Sequence, residues 1–161
     1  AHDPPAPWRI PGVAHEYGPL DENTEPGGEC YGWGAPLPLH LIRGIVGFRE
    51  TETLPGPDDA TRAVFTLAPA IPARLATAGR RLGLTNLFFR EVSFDVAYEV
   101  LELNRLRITL EFEADGPCRV EVIDRDRGAV CDEVFEHANG TVIFDGLSGA
   151  VYTVRFTPNG A

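Results

Sequence analysis

From Ala63 onward the hydrophobic positions of this chain recur every second residue, and before it they recur every third or fourth. In the second half, Phe94, Val96, Tyr98 and Val100 alternate with Ser93, Asp95, Ala97 and Glu99. Leu106, Ile108, Leu110 and Phe112 alternate in the same way with Arg107, Thr109, Glu111 and Glu113. Such alternation is the pattern of strands with one face in a core and one in water. Shorter stretches of the same kind fit strands at 64–67, 119–123, 129–135, 141–144 and 151–156. The phase slips at Leu101, which predicts a bulge or a turn. Residues 73–83 are ambiguous and accommodate one helical turn. The connections are rich in turn residues: Asp115-Gly116-Pro117, Asp124–Gly128, Asn139-Gly140 and Gly146–Gly149. Short strands with turns about every ten residues predict an antiparallel β-sandwich, with Phe94, Val96, Leu106, Ile108, Leu110, Phe112 and Val154 in its core.

The first third reads differently. Leu37, Leu41, Ile45 and Phe48 repeat at helical spacing, and Leu39, Ile42 and Val46 widen the stripe, so residues 36–48 are expected to form one largely buried helix. Pro36 and Pro38 suit its first turn, where the backbone N–H lacks an intrahelical partner, and Gly44 and Gly47 weaken its far end. The proline-rich residues 1–14 are expected to be extended. Residues 51–62, with Pro55-Gly56-Pro57, are expected to be a linker between residues 1–50 and a sandwich over 63–161.

Composition narrows the function. Twenty-four acidic residues against fourteen basic ones give a formal net charge of −10, which argues against nucleic acid or an anionic membrane as partner, because both need clustered positive charge. Neutral sugars remain compatible. All the basic residues are arginine, a bias expected of a GC-rich bacterial genome. The chain begins at Ala1 and has no methionine, so it is expected to be a fragment or subunit of something longer. The three cysteines, Cys30, Cys118 and Cys131, show no metal or redox spacing. Cys118 and Cys131 flank a predicted hairpin and would face each other in one reading. In the other, which is preferred, all three are reduced small hydrophobes of a cytoplasmic protein. A missing N-terminus would hide a secretion signal. No cofactor and no metal is expected. Asp124–Gly128 looks like a calcium loop, but its twelfth position is Phe135 rather than a bidentate glutamate, and a hairpin turn is the expectation. Asn139-Gly140-Thr141 matches a glycosylation sequon, yet Asn-Gly between strands is first of all a two-residue hairpin turn.

One stretch carries a resemblance. His15-Glu16-Tyr17, a spacer Asp21-Glu22-Asn23-Thr24-Glu25-Pro26-Gly27-Gly28, then Tyr31-Gly32-Trp33-Gly34-Ala35 opening into an apolar helix resembles the end of the (α/α)6-barrel (six-hairpin) glycoside hydrolases. The nearest likeness is to family 63 α-glucosidases and mannosylglycerate-hydrolase-like enzymes, with trehalases and glycogen-debranching enzymes as relatives. The spacer is longer than the family's usual Thr-Gly. The resemblance implies that Glu16 is the catalytic general base of an inverting enzyme. It also implies that the helix completes a barrel supplied by the rest of the enzyme or by a partner subunit with apolar helices, and that a β-sandwich follows. Tyr17, Tyr31, Trp33 and His15 would then line the sugar site. Without the resemblance, Glu16 is a solvated loop carboxylate, Tyr17 and Trp33 are packing residues, His15 is a surface histidine and His40 is structural. The alternative function is a non-catalytic β-sandwich that binds carbohydrate or assembles subunits.

Overall fold

A computed structural model describes residues 36–50 and 63–159. By contacts the chain divides into two compact units, Ala1–Leu41 and Ile42–Ala161. The described part of the first is a six-residue helix, α1 (Pro36–Leu41), on which Leu39 and Leu41 are 46% and 48% exposed.

The second unit is a β-sandwich of two antiparallel sheets. One holds β1 (Arg49–Glu50), β2 (Ala63–Leu67), β9 (Tyr152–Pro158), β6 (Cys118–Asp124) and β7 (Gly128–Phe135), in that spatial order. The other holds β3 (Arg81–Phe89), β4 (Val92–Glu102), β5 (Arg105–Ala114) and β8 (Asn139–Leu147). The chain runs β3-β4-β5 as a meander and crosses over for the β6-β7 hairpin. It then returns to set β8 beside β5 before β9 enters the first sheet between β2 and β6.

The expected core positions, Phe94, Val96, Leu106, Ile108, Leu110, Phe112 and Val154, are all buried, and each such side chain removed from water stabilises the fold by about 1.5–3 kcal/mol. Between the sheets the rings meet directly. Phe65 of β2 stacks on Phe94 of β4 at 4.5 Å, and Phe48 stands edge-on to Phe65 at 5.5 Å. Phe156 continues the contact from Phe65 to Phe112, and Phe112 meets Phe135 edge-on at 5.0 Å.

The expected helix over 36–48 is only half realised. After α1 the chain makes a π turn, Ile42–Val46, closed by the Gly47 and Phe48 N–H groups on the Ile42 carbonyl. Gly47 then takes φ +78°, and a Cβ there would sit 2.0 Å from the Ala68 carbonyl oxygen, so the helix cannot continue through it. The residues expected to continue the helix instead serve the sandwich: Val46 and Phe48 are in its core, Ile42 and Ile45 pack against it, and Arg49–Glu50 pair with β2. The unit containing the sandwich thus begins at Ile42, ahead of the expected linker at 51–62, which lies outside the described residues. Apolar residues at every third or fourth place fit a continuous helix, but Val46 and Phe48 also fit a turn that leads into the core. The aromatic core selects the second.

Two further expectations change. Asn139-Gly140 is not a turn: Asn139 pairs with Glu113 and Gly140 with Phe112 at the start of β8, and the chain bends at 136–138 instead. Glycine is required there for space, since a Cβ would lie 2.4 Å from the Phe135 ring and 2.8 Å from that of Phe112. Residues 73–83 do contain one short helical turn, Ala73–Leu75, but from Arg81 they open β3, a full strand. Its alternation is hidden by a bulge between Leu84 and Leu87, where Asn86 adopts φ +57°. The phase slip near Leu101 is a bulge between Val100 and Glu102, and Asp124–Gly128 is a hairpin turn, as expected. Cys118 and Cys131 do not face each other. Cys118 pairs with Phe135 and Cys131 with Val122, about 13 Å along the strand from one another at ~3.3 Å per residue, well beyond the ~7 Å limit for a disulfide.

Ile108 is fully buried in the middle of β5, so Ile108→Asp is expected to abolish the cooperative unfolding transition in a circular dichroism melt. Gly140→Ala is expected to leave a folded protein destabilised by about 1–3 kcal/mol in urea titration, because the ring edges must yield to a methyl group. A neutral or stabilising Gly140→Ala would mean that the Phe112–Phe135 contact is not as tight as described.

Candidate functional site

Period-two alternation sends one set of side chains on β4, β5 and β8 inward and the other set out to solvent. Strand register then lines up the outer set in rows: Ser93, Glu113 and Asn139 in one, Asp95, Glu111 and Thr141 in the next. The bulge in β3 brings Asn86 to the same place, and its backbone N–H donates to Asp95 Oδ1 at 2.8 Å. Together these residues line an open groove of about 370 Å³, backed by Phe94 and Phe112. The groove offers hydroxyl, amide and carboxylate groups, which between them donate and accept hydrogen bonds.

Its charge is one-sided. Several surface carboxylates of the sandwich are paired with arginine. Arg119 holds Asp132 through two hydrogen bonds of 2.7 and 2.6 Å, Arg81 holds Glu99, and Arg107 reaches Asp145. Asp95, Glu111 and Glu113 have no cationic partner among the described residues, although Asp95 and Glu111 stand directly opposite each other on adjacent strands. Like charges directly opposite each other are unfavourable in general, and a hydrogen-bond donor placed between two carboxylates offsets part of that cost.

The other ionisable groups with altered surroundings are structural. Asp124 is 2% exposed at the β6–β7 turn. It accepts hydrogen bonds from the Asp126 and Arg127 N–H groups and from the Arg127 guanidinium. Removal from water works against its charge, but these donors outweigh that and hold its carboxyl below the usual range. Tyr152 accepts from the Leu147 N–H at 2.6 Å and receives Arg127 at 3.3 Å, tying the turn to β8. The buried Tyr98 hydroxyl donates to the Val46 carbonyl at 2.7 Å, fastening the π turn to β4, and burial pushes its pKa up. Burial, with Glu133 beside it, pushes the Cys131 thiol up to about 12, so it is no thiolate nucleophile near neutral pH.

The residues that the sequence nominates for catalysis and sugar contact, Glu16, His15, Tyr17, Tyr31 and Trp33, lie outside the described residues, as does Cys30. His40, read from its spacing as structural, is exposed at the end of α1. The groove itself escapes a reading of the sequence, because its walls come from strands far apart in the chain, Ser93 of β4 and Asn139 of β8 standing in one row, and only the pairing register joins them. Its one local trace is the run of polar outward positions in β4 and β5. Among the described residues no group of three His, Cys, Asp or Glu side chains is placed to hold a metal ion. None of the described helices is long and apolar enough to cross a membrane. Comparison with protein-family models, curated proteins and solved structures finds no match.

Two outcomes are expected. Asp124 has a folded pKa below its unfolded value of about 4, so its stabilisation is fully present above that value and is lost as pH falls through the folded value. Urea midpoints are therefore expected to fall more steeply below about pH 4 for the wild type than for Asp124→Asn, which has no such group to protonate. Parallel curves for the two proteins would remove Asp124 from the account. Separately, Tyr98→Phe leaves the buried Val46 carbonyl unpartnered and is expected to cost about 1–3 kcal/mol in the same titration.

Proposed function

We propose that this chain is the C-terminal part of an inverting glycoside hydrolase acting on α-glucosides or related sugars, with Glu16 as its general base and the sandwich as an accessory domain. The observation that supports this reading is the order of elements: an apolar helix at Pro36–Leu41 followed at once by a β-sandwich, the order the Glu16–Trp33 resemblance implies. The half-exposed Leu39 and Leu41 agree with a helix that other helices of the complete enzyme cover. In such an enzyme one carboxylate activates water while a second, protonated, assists the leaving group, the two standing roughly 6.5–9.5 Å apart. This chain would supply the first and the remainder of the enzyme the second, so the isolated chain is expected to be inactive. Tyr17, Tyr31, Trp33 and His15 would form walls of the sugar site. No metal or organic cofactor enters this scheme.

A second reading, a non-catalytic sandwich that binds carbohydrate, is favoured by the polar groove on the four-stranded sheet. It requires no contribution from residues 15–33.

Hydrolysis of α-glucoside and α-mannoside panels by the complete enzyme and its Glu16→Gln variant separates the two. Loss of about 10²–10⁴-fold in turnover, the usual contribution of a positioned base, with sugar binding retained and partial rescue by azide, is the expected result. Equal rates on the best substrate would return Glu16 to a solvated loop and leave the second reading.

A further inference from the structure

We propose that the outer face of the four-stranded sheet binds a neutral oligosaccharide laid along β4 and β5, in a cleft that runs from the row of Phe88, Ser93 and Asn139 to that of Ala97 and Thr109. The proposal rests on the carbohydrate-directed reading above, and it extends the groove of that reading into a longer cleft and names the form of its ligand.

The cleft is longer than the groove alone. A second depression of about 170 Å³ lies over Gly83, Ala97 and Thr109, and it shares Asp95 and Glu111 with the first. The two carboxylates therefore stand at the junction of the two hollows. The floor of the second hollow is bare for a structural reason: a Cβ on Gly83 would approach the Val96 carbonyl oxygen to 2.4 Å, and its cross-strand neighbour is only an alanine. A flat ring can approach the sheet closely there.

An aromatic ring marks the other end. Of the nine phenylalanines, Phe88 alone faces solvent, at 73% exposure, while the others belong to the core or pack against it. Phe88 pairs directly with Ser93, a residue of the groove, which brings the two side chains to about 5 Å at Cβ. An exposed aromatic face beside carboxylates and amides suits a molecule with an apolar C–H face and a rim of hydroxyls, which is a pyranose ring. Sugar hydroxyls donating to Asp95 and Glu111 would form charge-assisted hydrogen bonds. They would occupy the space between two like charges without bringing a charge of their own. An anionic ligand is repelled by the three carboxylates and by the chain's net charge of −10. A cationic peptide would match the carboxylates but make no use of Phe88, the amide of Asn139 or the bare floor, so it serves as the contrast in the test.

The experiment is calorimetric titration of the full chain with maltohexaose, mannohexaose, cellohexaose and xylohexaose, and with hexa-arginine. At least one neutral hexasaccharide is expected to bind with a Kd of about 1 mM or tighter, with the same affinity at roughly 50 and 500 mM salt, since an uncharged ligand is not screened. Phe88→Ala is expected to weaken that binding about tenfold and Glu111→Gln about fivefold, with Tm unchanged because both side chains are exposed. Ala97→Trp, which fills the second hollow, is expected to shorten the preferred ligand from hexasaccharide to trisaccharide. Absence of binding to all four sugars would overturn the proposal, as would binding that neither Phe88→Ala nor Glu111→Gln affects. Binding of hexa-arginine alone, lost at high salt, would overturn it in favour of a cationic partner. Hydrolysis by the complete enzyme is read separately: sugar binding without hydrolysis would sink only the enzymatic reading, and hydrolysis without binding at this face only the present one.

Discussion

The sandwich depends on ring-to-ring contact across the gap between its two sheets. Seven phenylalanines, Phe48, Phe65, Phe89, Phe94, Phe112, Phe135 and Phe156, touch in sequence from the segment before β1 to the far edge at β7. Two sheets of short strands have no covalent reason to stay in register with one another, and the ladder hydrogen bonds act only within a sheet. The rings supply large buried areas with fixed geometry, and they draw in a segment that belongs to neither sheet's interior, the turn carrying Phe48. That turn is secured twice more, by the Tyr98 hydroxyl on Val46 and by the Ala68 and Ala70 N–H groups on Gly47 and Ile45. Residues 42–48 are consequently part of the sandwich's cooperative unit rather than a tether leading to it.

This inward demand accounts for what faces outward. With the aromatic side chains used to join the sheets, the opposite face of β4 and β5 carries small and polar residues, and the one ring left on the outer face of this sheet, Phe88 of β3, stands beside a hollow. The bulge that turns Asn86 toward Asp95 also keeps Leu82, Leu84 and Leu87 packed against the core, since an extra residue lets the strand regain its phase. Packing and groove are two results of the same local irregularity.

Sequence reading works best where a strand has one dry face and one wet face. β4 and β5 satisfy this along their whole length, and their core residues are read correctly from alternation alone. β3 is missed because its bulge and Gly83 interrupt the pattern within nine residues. The helix over 36–48 is overextended because leucine, isoleucine and valine satisfy a helical stripe and a core-bound turn equally, and the deciding contacts come from Ala68, Ala70 and Tyr98, far along the chain. Asn139-Gly140 is misread since the glycine answers to two aromatic rings above it, a requirement that leaves no local trace. The groove was legible only as a run of polar residues; that it is a groove follows from β8 lying beside β5.

The position of Asn139 has a practical consequence. It is exposed, it lines the groove, and with Gly140 and Thr141 it spells an acceptor sequon for N-linked sugar. A host that glycosylates secreted proteins would attach a covalent glycan at the rim of the hollow, where the first sugars could fold back over Glu113 and Thr141. Material from such a host would carry its own occupant, and the choice of expression system would decide whether that surface is open or already filled.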